Sequence, residues 1–124
     1  MNENIAKDPR FLRGVILFNS RDYLDASEEF EDLYFETVSE EREFIRFFMQ
    51  ISVGLHHIER GQRRAAVERL LVGVETLGLI STSRGYDIAG LARQVGEVIT
   101  LLRLPLREGQ GDPAVPWPTI EGAL

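Results

Sequence analysis

The chain has 124 residues, a formal net charge of −6 and no cysteine. This length suits one domain with a sizeable core. The absence of cysteine excludes disulfides, thiolate nucleophiles and thiolate metal sites. The acidic balance disfavours nucleic-acid binding. The first ten residues are polar, and no apolar run reaches the roughly 20 residues that span a bilayer, so we expect a cytoplasmic protein without a membrane segment.

Two amphipathic helices are predicted in the first third of the chain. Asp8-Pro9 combines a good N-cap with a proline that the first helical turn tolerates. Apolar residues then recur at helical spacing as far as Asn19-Ser20, where a turn is expected. From residue 21 to residue 37 one apolar stripe runs among carboxylates, which indicates a helix lying on a core. The stripe consists of Tyr23, Ala26, Phe30, Leu33 and Tyr34.

The third predicted helix is apolar almost all round. Ser39 is its expected N-cap, with Glu40 and Glu41 in the first turn, and Gly61 is its expected C-cap. A helix without a polar face is buried on several sides, so we expect it at the centre of the fold. Its apolar residues are Phe44, Ile45, Phe47, Phe48, Met49, Ile51, Val53, Leu55 and Ile58.

Two further helices are predicted over residues 63–77 and 87–104, and Pro105 ends the last one. The fold class is therefore all-α, a compact bundle of about five helices. Residues 1–106 form the predicted helical domain, and residues 107–124 form a tail rich in proline and glycine. Pro116-Trp117-Pro118 predicts an extended segment, in which Trp117 pins the tail to the helices.

A weak internal similarity links residues 18–30 with residues 58–70. Each segment contains a helix end, a polar turn and a new helix with a small residue at the matched position, Ala26 or Ala66. The offset of forty residues would suit two helical hairpins. Too few residues match to predict a repeat array.

A line of polar residues interrupts the apolar third helix. Arg42, Arg46, Gln50 and His57 follow at steps of four, four and seven, and Gly54 lies on the same line. We call these five residues the polar seam. Because buried polar groups need partners, we expect the seam to face Glu28 and Glu31 of the second helix, with Ser27 beside them. His56 points about 100° away from His57, so the two rings do not chelate one ion together.

Three interpretations of the seam remain open. It forms a structural network, in which Arg42 or Arg46 pairs with Glu28 or Glu31. It holds a ligand or a divalent metal, with Glu28, Glu31 and His57 as ligands and Arg46 and Gln50 beside them. It is the site of a hydrolase-like enzyme, with Glu28 or Glu31 and His57 as the acid–base groups. No cofactor is predicted, and a divalent metal belongs to the second interpretation alone.

Charge is divided unevenly along the chain. Residues 21–43 are strongly acidic, and residues 60–107 are more basic. The two parts are either separate solvated faces or surfaces that meet, within the fold or across a homodimer. The arginines at 60, 63, 64 and 69 either bind an anion or a nucleic-acid backbone or form a solvated helix start. Glu59 and Glu68 dilute their charge, which favours the solvated helix start.

Two sequence blocks resemble a known helical family. The first runs from Phe18-Asn19 to Tyr34, and the second contains Gln50, Val53-Gly54-Leu55-His56-His57 and Arg60-Gly61. They resemble the three-hundred-and-ninth numbered domain of unknown function, widespread in bacteria and archaea. Its pattern is Phe-Asn, an aromatic residue, then Ala-His-Glu-x-x-Glu-x-x-Trp.

Here Ser27 stands in the place of that histidine, Tyr34 in the place of the tryptophan, and Gln62 in the place of an asparagine. The resemblance implies an all-helical fold and no activity. Loss of the histidine weakens the metal interpretation. We therefore favour a non-enzymatic interaction or scaffold module with a structural seam, whose partner is a second copy or an unidentified protein.

Overall fold

The structure, a computed structural model, describes residues 4–38, 41–80, 82–105 and 114–122. The α-helices in these ranges are α1 (Pro9–Asn19), α2 (Tyr23–Glu36), α3 (Glu41–Glu59), α4 (Arg63–Glu75) and α5 (Ile88–Arg103). Short 3-10 helices cover Ile5–Lys7 and Thr76–Leu79. The predicted all-α bundle is confirmed. Among the described helices, none has the length and apolar content to cross a membrane.

Both helices of the first hairpin form close to where they were predicted. The Asp8 side chain accepts a hydrogen bond from the Arg10 backbone N–H at 2.9 Å, and Pro9 follows it as the first helical residue. The second helix begins at Tyr23 rather than at Arg21. Arg21 has a φ of 64°, which no right-handed helix accommodates, so the chain turns there and the new helix starts two residues later.

Helix α3 is the centre of the fold, as predicted. It packs against α2 on one side and α4 on the other. Its Phe44 and Phe48 rings meet Phe11 of α1, and Phe48 also meets Phe30 of α2, with ring centroids 5.1–5.7 Å apart. These four rings are fully buried and join three helices in one aromatic core. The predicted cap at Ser39-Glu40 lies outside the described residues.

The weak similarity at an offset of forty corresponds to two hairpins with the same close contact. A Cβ atom on Gly14 of α1 would lie 2.5 Å from the Phe30 ring of α2. A Cβ atom on Gly54 of α3 would lie 2.7 Å from Leu70 of α4. Both glycines therefore let the two helices of a hairpin approach closely, and both pairs are separated by the same offset.

Helices α4 and α5 complete the bundle, and the C-terminal tail packs against the helices. Helix α4 stops at Glu75, two residues before the predicted end, and continues as a 3-10 turn, a common way for a helix to tighten at its end. Asp87 caps α5, and the six predicted core residues of α5 are all buried: Ile88, Leu91, Val95, Val98, Ile99 and Leu102. Residues 114–122 lie against the helices, and we call them the tail segment.

Candidate functional site on the exposed side of α2

The two glutamates of the predicted site are exposed on α2. Within the part of the chain that the structure describes, Glu28 and Glu31 make no hydrogen bond and no ion pair. Their neighbours behave differently, because Glu29 pairs with Arg13 at 3.2 Å and Glu36 pairs with Arg10, both on α1. Helix α2 thus directs one set of carboxylates to α1 and leaves Glu28 and Glu31 to the solvent.

The C-terminal part of the polar seam, Gln50, Gly54 and His57, faces α4 and the turn before it rather than α2. Gln50 accepts a hydrogen bond from Arg69 of α4 at 3.3 Å. Gly54 lies against Leu70 and the Ala66 backbone, also on α4. His57 Nδ1 lies 2.6 Å from Oε1 of Gln62, in the turn that joins α3 and α4. The expectation that this line faces the acidic helix is therefore corrected: the close approach at Gly54 turns it toward α4.

The arginines of the seam also have partners other than Glu28 and Glu31. Arg46 pairs with Glu43 on its own helix at 3.6 Å. The Arg42 guanidinium lies over the Tyr34 ring, 4.3 Å from its centroid, where the ring face attracts a cation. The structural network predicted for the seam exists in part, but its partners are the Tyr34 ring of α2, Glu43 of α3 itself, and groups of α4 and of the turn before it.

The predicted site residues are thus divided between two surfaces. The carboxylates of Glu28 and Glu31 are exposed on α2, whereas Gln50 and His57 are bonded on the α4 side of α3. In the ranges that the structure describes, no three histidine, aspartate or glutamate side chains are grouped as a metal site would require. Ser27 is buried, and its hydroxyl donates to the Leu24 carbonyl oxygen at 2.7 Å, so its proton is used inside α2.

Two apolar residues that sequence reasoning overlooked lie beside the free glutamates. Leu24, Glu28, Glu31 and Phe35 follow at steps of four, three and four, which places them along one side of α2. We call these four residues the exposed stripe. Leu24 is 47% exposed and Phe35 is 73% exposed. The same spacing could have been found in the sequence, but Leu24 and Phe35 would have passed for core residues beside Tyr23 and Tyr34.

The charge on this side of α2 is uniformly negative. The helix contains six carboxylates and no basic residue. Among the described residues, Glu29 and Glu36 are neutralised by α1, while Asp25, Glu28, Glu31 and Asp32 have no cation as a partner. Exposed carboxylates with apolar residues at both ends form a surface complementary to one that is basic and apolar.

Two surface depressions lie elsewhere, at the start of α5. One encloses about 510 Å³ and is lined by residues such as Leu77, Ile80 and Ile88. The other encloses about 450 Å³ and borders Asp87 and Glu121. Neither is lined by a residue of the predicted site.

Residues 11–68 match the family model described as Domain of unknown function (DUF309). The match confirms the predicted resemblance and covers most of α1, all of α2 and α3, and the start of α4. The family is uncharacterised. Comparisons with curated proteins and with solved structures found no match.

The structure assigns a packing role to much of the matched pattern. Phe18 and Ala26 are fully buried, Asn19 bonds to the tail segment, and Gly61 has a φ of 73° in the second turn. Glu28 and Glu31 belong to the same pattern, but among the described residues they make no hydrogen bond and no ion pair.

Proposed function

We propose that this protein is an interaction module that binds a basic amphipathic helix of a partner protein along the exposed stripe of α2. The observation that carries the proposal is the combination of Leu24 and Phe35, both exposed, with two carboxylates that have no partner among the described residues. Such a helix offers apolar residues to Leu24 and Phe35 and basic residues to the two carboxylates between them.

The two apolar residues at the ends of the stripe support the affinity for a partner. Leu24 and Phe35 lie eleven residues apart, about 16 Å along a helix at 1.5 Å per residue. Their exposure leaves apolar surface in water, and covering it is favourable by about 25 cal/mol per Å². A partner helix with leucine or similar residues at helical spacing would cover both ends of the stripe.

The two carboxylates in the middle of the stripe support selectivity between partners. Glu28 and Glu31 lie between the two apolar residues, so a partner with lysine or arginine at its centre would fit and an acidic partner would be repelled. The same charge opposes pairing of two α2 stripes in a homodimer. Pairing of α2 with the later helices of a second copy also has little support, because exposed Arg64 of α4 is accompanied by Glu68 and Glu75.

The ligand, metal and hydrolase-like alternatives require Glu28, Glu31 and His57 to converge. The separation of these side chains removes the geometric reason to favour them. The absence of cysteine supports a reducing compartment, and we extend the proposal to a cytoplasmic location.

The experiment is a titration with a synthetic helical peptide of leucine and lysine at helical spacing, followed by fluorescence anisotropy. A matched peptide of leucine and glutamate is the charge control. We expect the lysine peptide alone to bind, and its affinity to fall with added salt because exposed charges are screened.

Paired variants locate the surface. Leu24→Ser with Phe35→Ser, and separately Glu28→Gln with Glu31→Gln, should each weaken binding about tenfold or more, the loss expected for one or two surface contacts. Glu68→Gln with Glu75→Gln on α4 removes the same charge from another helix and should leave affinity unchanged. Equal losses in the α2 and α4 charge variants would show attraction by net charge alone, and unchanged binding in both α2 variants would refute the proposal.

A further inference from the structure

The tail segment is held by side-chain amides in the way that a strand is held by its neighbour. Asn19 at the end of α1 donates to the Ile120 carbonyl oxygen at 2.9 Å and accepts from the Ile120 N–H at 2.7 Å. Gln94 of α5 makes the same two bonds to Thr119, at 3.2 and 3.0 Å. Paired bonds of this kind to one backbone unit resemble those between antiparallel strands.

The third backbone contact continues the pattern. The Asp87 N–H donates to the Glu121 carbonyl oxygen at 2.9 Å, and Tyr86 and Gly122 form an isolated antiparallel bridge. The backbone from Thr119 to Gly122 is therefore bound by three positions of the helical body. Backbone contacts of this type bind an extended peptide without regard to its sequence.

Side-chain contacts supply the selectivity. Pro118 and Ile120 are buried, whereas Thr119 between them is exposed. The Trp117 ring lies against Tyr23, with centroids 5.6 Å apart, and the Arg21 guanidinium covers the indole at 4.1 Å. The bound pattern is an aromatic residue, proline, any residue and an aliphatic residue, in an extended conformation.

Tyr23, against which the tail packs, has a hydroxyl without a partner among the described residues. Tyr23 is 1% exposed, and its hydroxyl makes no hydrogen bond in the described structure. A buried hydroxyl in this state is unfavourable, because it has lost its bonds to water. The Trp117 ring packs on the ring of this same tyrosine, so the tail is bound beside an unsatisfied polar group.

We infer that the cleft between the end of α1 and α5 is a peptide-binding groove, which the chain's own tail fills in this structure and which accepts the tail segment of a second copy. The tail itself identifies the occupant, since its three anchoring side chains, Trp117, Pro118 and Ile120, and its three backbone contacts already match the cleft. Reciprocal exchange of identical segments gives a two-fold dimer by an economical route. This groove is distinct from the exposed stripe of α2 and does not depend on the function proposed for it.

The chain offers a direct optical test, because Trp117 is its one tryptophan. The full-length Trp117→Ala variant has a weakened tail and no indole emission. Titration with a synthetic peptide of residues 114–122 should therefore give a saturable change in the peptide's own tryptophan fluorescence. Adding Asn19→Ala to this variant should weaken binding about tenfold or more, because both bonds to Ile120 are lost.

Controls separate groove binding from adsorption. A peptide with alanine in place of tryptophan, labelled for anisotropy, should bind at least about tenfold more weakly than its labelled parent. Circular dichroism verifies the helix content of each variant. If Trp117→Ala reduces that content, Thr119→Pro serves instead with labelled peptide, because it removes the N–H that Gln94 accepts and keeps the core.

Exchange between whole chains is measured by light scattering on an equimolar mixture of wild type and Trp117→Ala. A dimer whose fraction rises with concentration, and which Asn19→Ala reduces, is the expected result. Failure of the variant to bind peptide at about 1 mM would overturn the groove, as would binding that Asn19→Ala leaves unchanged. Peptide binding with chains that remain monomeric at all concentrations would overturn the second copy as the occupant.

Discussion

The α1–α2 and α3–α4 hairpins share one packing solution and differ in what they leave exposed. In the first turn the Asp22 N–H donates to the Leu17 carbonyl oxygen at 2.8 Å. Forty residues later the Gln62 N–H donates to the His57 carbonyl oxygen at 2.9 Å. The second hairpin contains the central helix, whereas the first keeps one side of α2 free. Similar local geometry therefore supports a core in one hairpin and a surface in the other.

The residue in the left-handed region of each turn shows the same contrast. Gly61 has a φ of 73° and accepts it without steric cost. Arg21 has a φ of 64°, where a residue with a Cβ is disfavoured by about 1–2 kcal/mol. Its side chain contacts Trp117 and lies 3.8 Å from a Glu59 carboxylate oxygen. The first turn thus accepts a strained backbone and gains a contact to the tail.

The largest effects are expected where the helices of each hairpin touch. Gly14→Ala and Gly54→Ala should each lower the free energy of unfolding by about 1–3 kcal/mol, because the added methyl group overlaps a buried neighbour. Gly14→Ala should have the larger effect, since Phe30 is fixed among Phe11 and Phe48 while Leu70 ends in a flexible group. Denaturant titration measures both.

Gly96 of α5 is the matched control for these two variants. It lies within a helix, and a Cβ atom there would meet nothing within 4 Å. Gly96→Ala should raise stability by about 0.4–1 kcal/mol, because alanine is the better helix former. A loss at Gly96 equal to the losses at Gly14 and Gly54 would contradict the close-contact explanation.

Exchange of the turn residues should give intermediate effects. Gly61→Ala should cost about 1–2 kcal/mol, because it places a Cβ in the left-handed region. Arg21→Gly removes strain and a contact together, so its net effect on unfolding should be small. In a Trp117→Ala background the contact is already absent, and Arg21→Gly should then stabilise. The double-mutant cycle contradicts this account if Arg21→Gly has equal effects in both backgrounds.

The pH dependence of stability should reveal a difference between the hairpins at Tyr23. The residue at the matching position of the second hairpin, forty residues later, is Arg63. Burial raises the pKa of Tyr23 to about 12, above the value of about 10 for an unfolded chain. The folded state holds this proton more tightly, so its contribution to stability is complete below pH 10 and is lost between about pH 10 and 12. Denaturant midpoints at several pH values should show the fall.

Tyr23→Phe is the matched variant for this measurement and should flatten the loss at high pH. Some slope should remain, because burial also raises the pKa of Tyr86. An identical slope in wild type and Tyr23→Phe would show that Tyr23 is accessible in the folded protein.

The smallest effects on stability are expected along the exposed stripe. Glu31→Ala and Glu28→Ala should each change the free energy of unfolding by less than about 0.5 kcal/mol, as usual for exposed residues without partners. His57→Ala should also have a modest effect, since its bond to Gln62 lies at the surface. A loss above about 2 kcal/mol at Glu31 would indicate an internal role and remove the basis of the proposed stripe.

Periodicity and caps were sufficient to predict the helices. The Asp8-Pro9 start, the central position of α3 and the buried residues of α5 all follow from local preference and from the need to cover apolar surface. These features depend on neighbours within one or two turns, which the sequence contains. The contact of Trp117 with the helices was predictable for a related reason. Burying a large aromatic side chain against the helical body is more favourable than leaving it in water.

The partners of the polar residues were not predictable in the same way. Steps of three and four placed Gln50 and His57 on one line of α3, and that line is real. Which helix it faces depends on the rotation of α3 about its axis. That rotation is set by two close contacts between α3 and α4: Gly54 of α3 lies against Leu70, and Gly73 of α4 lies against Ile51. In the same way, the rotation of α2 about its own axis brings Glu29 to Arg13 of α1 and turns Glu28 away from it.

Local sequence therefore accounts for where each helix lies along the chain and which side of it is apolar. Assembly accounts for the exposure of Leu24 and Phe35, the freedom of Glu28 and Glu31, and the amides that hold the tail. The physical reason is that secondary structure arises from interactions between residues a few positions apart. Which side chains stay exposed depends instead on how helices that are distant in sequence pack against one another.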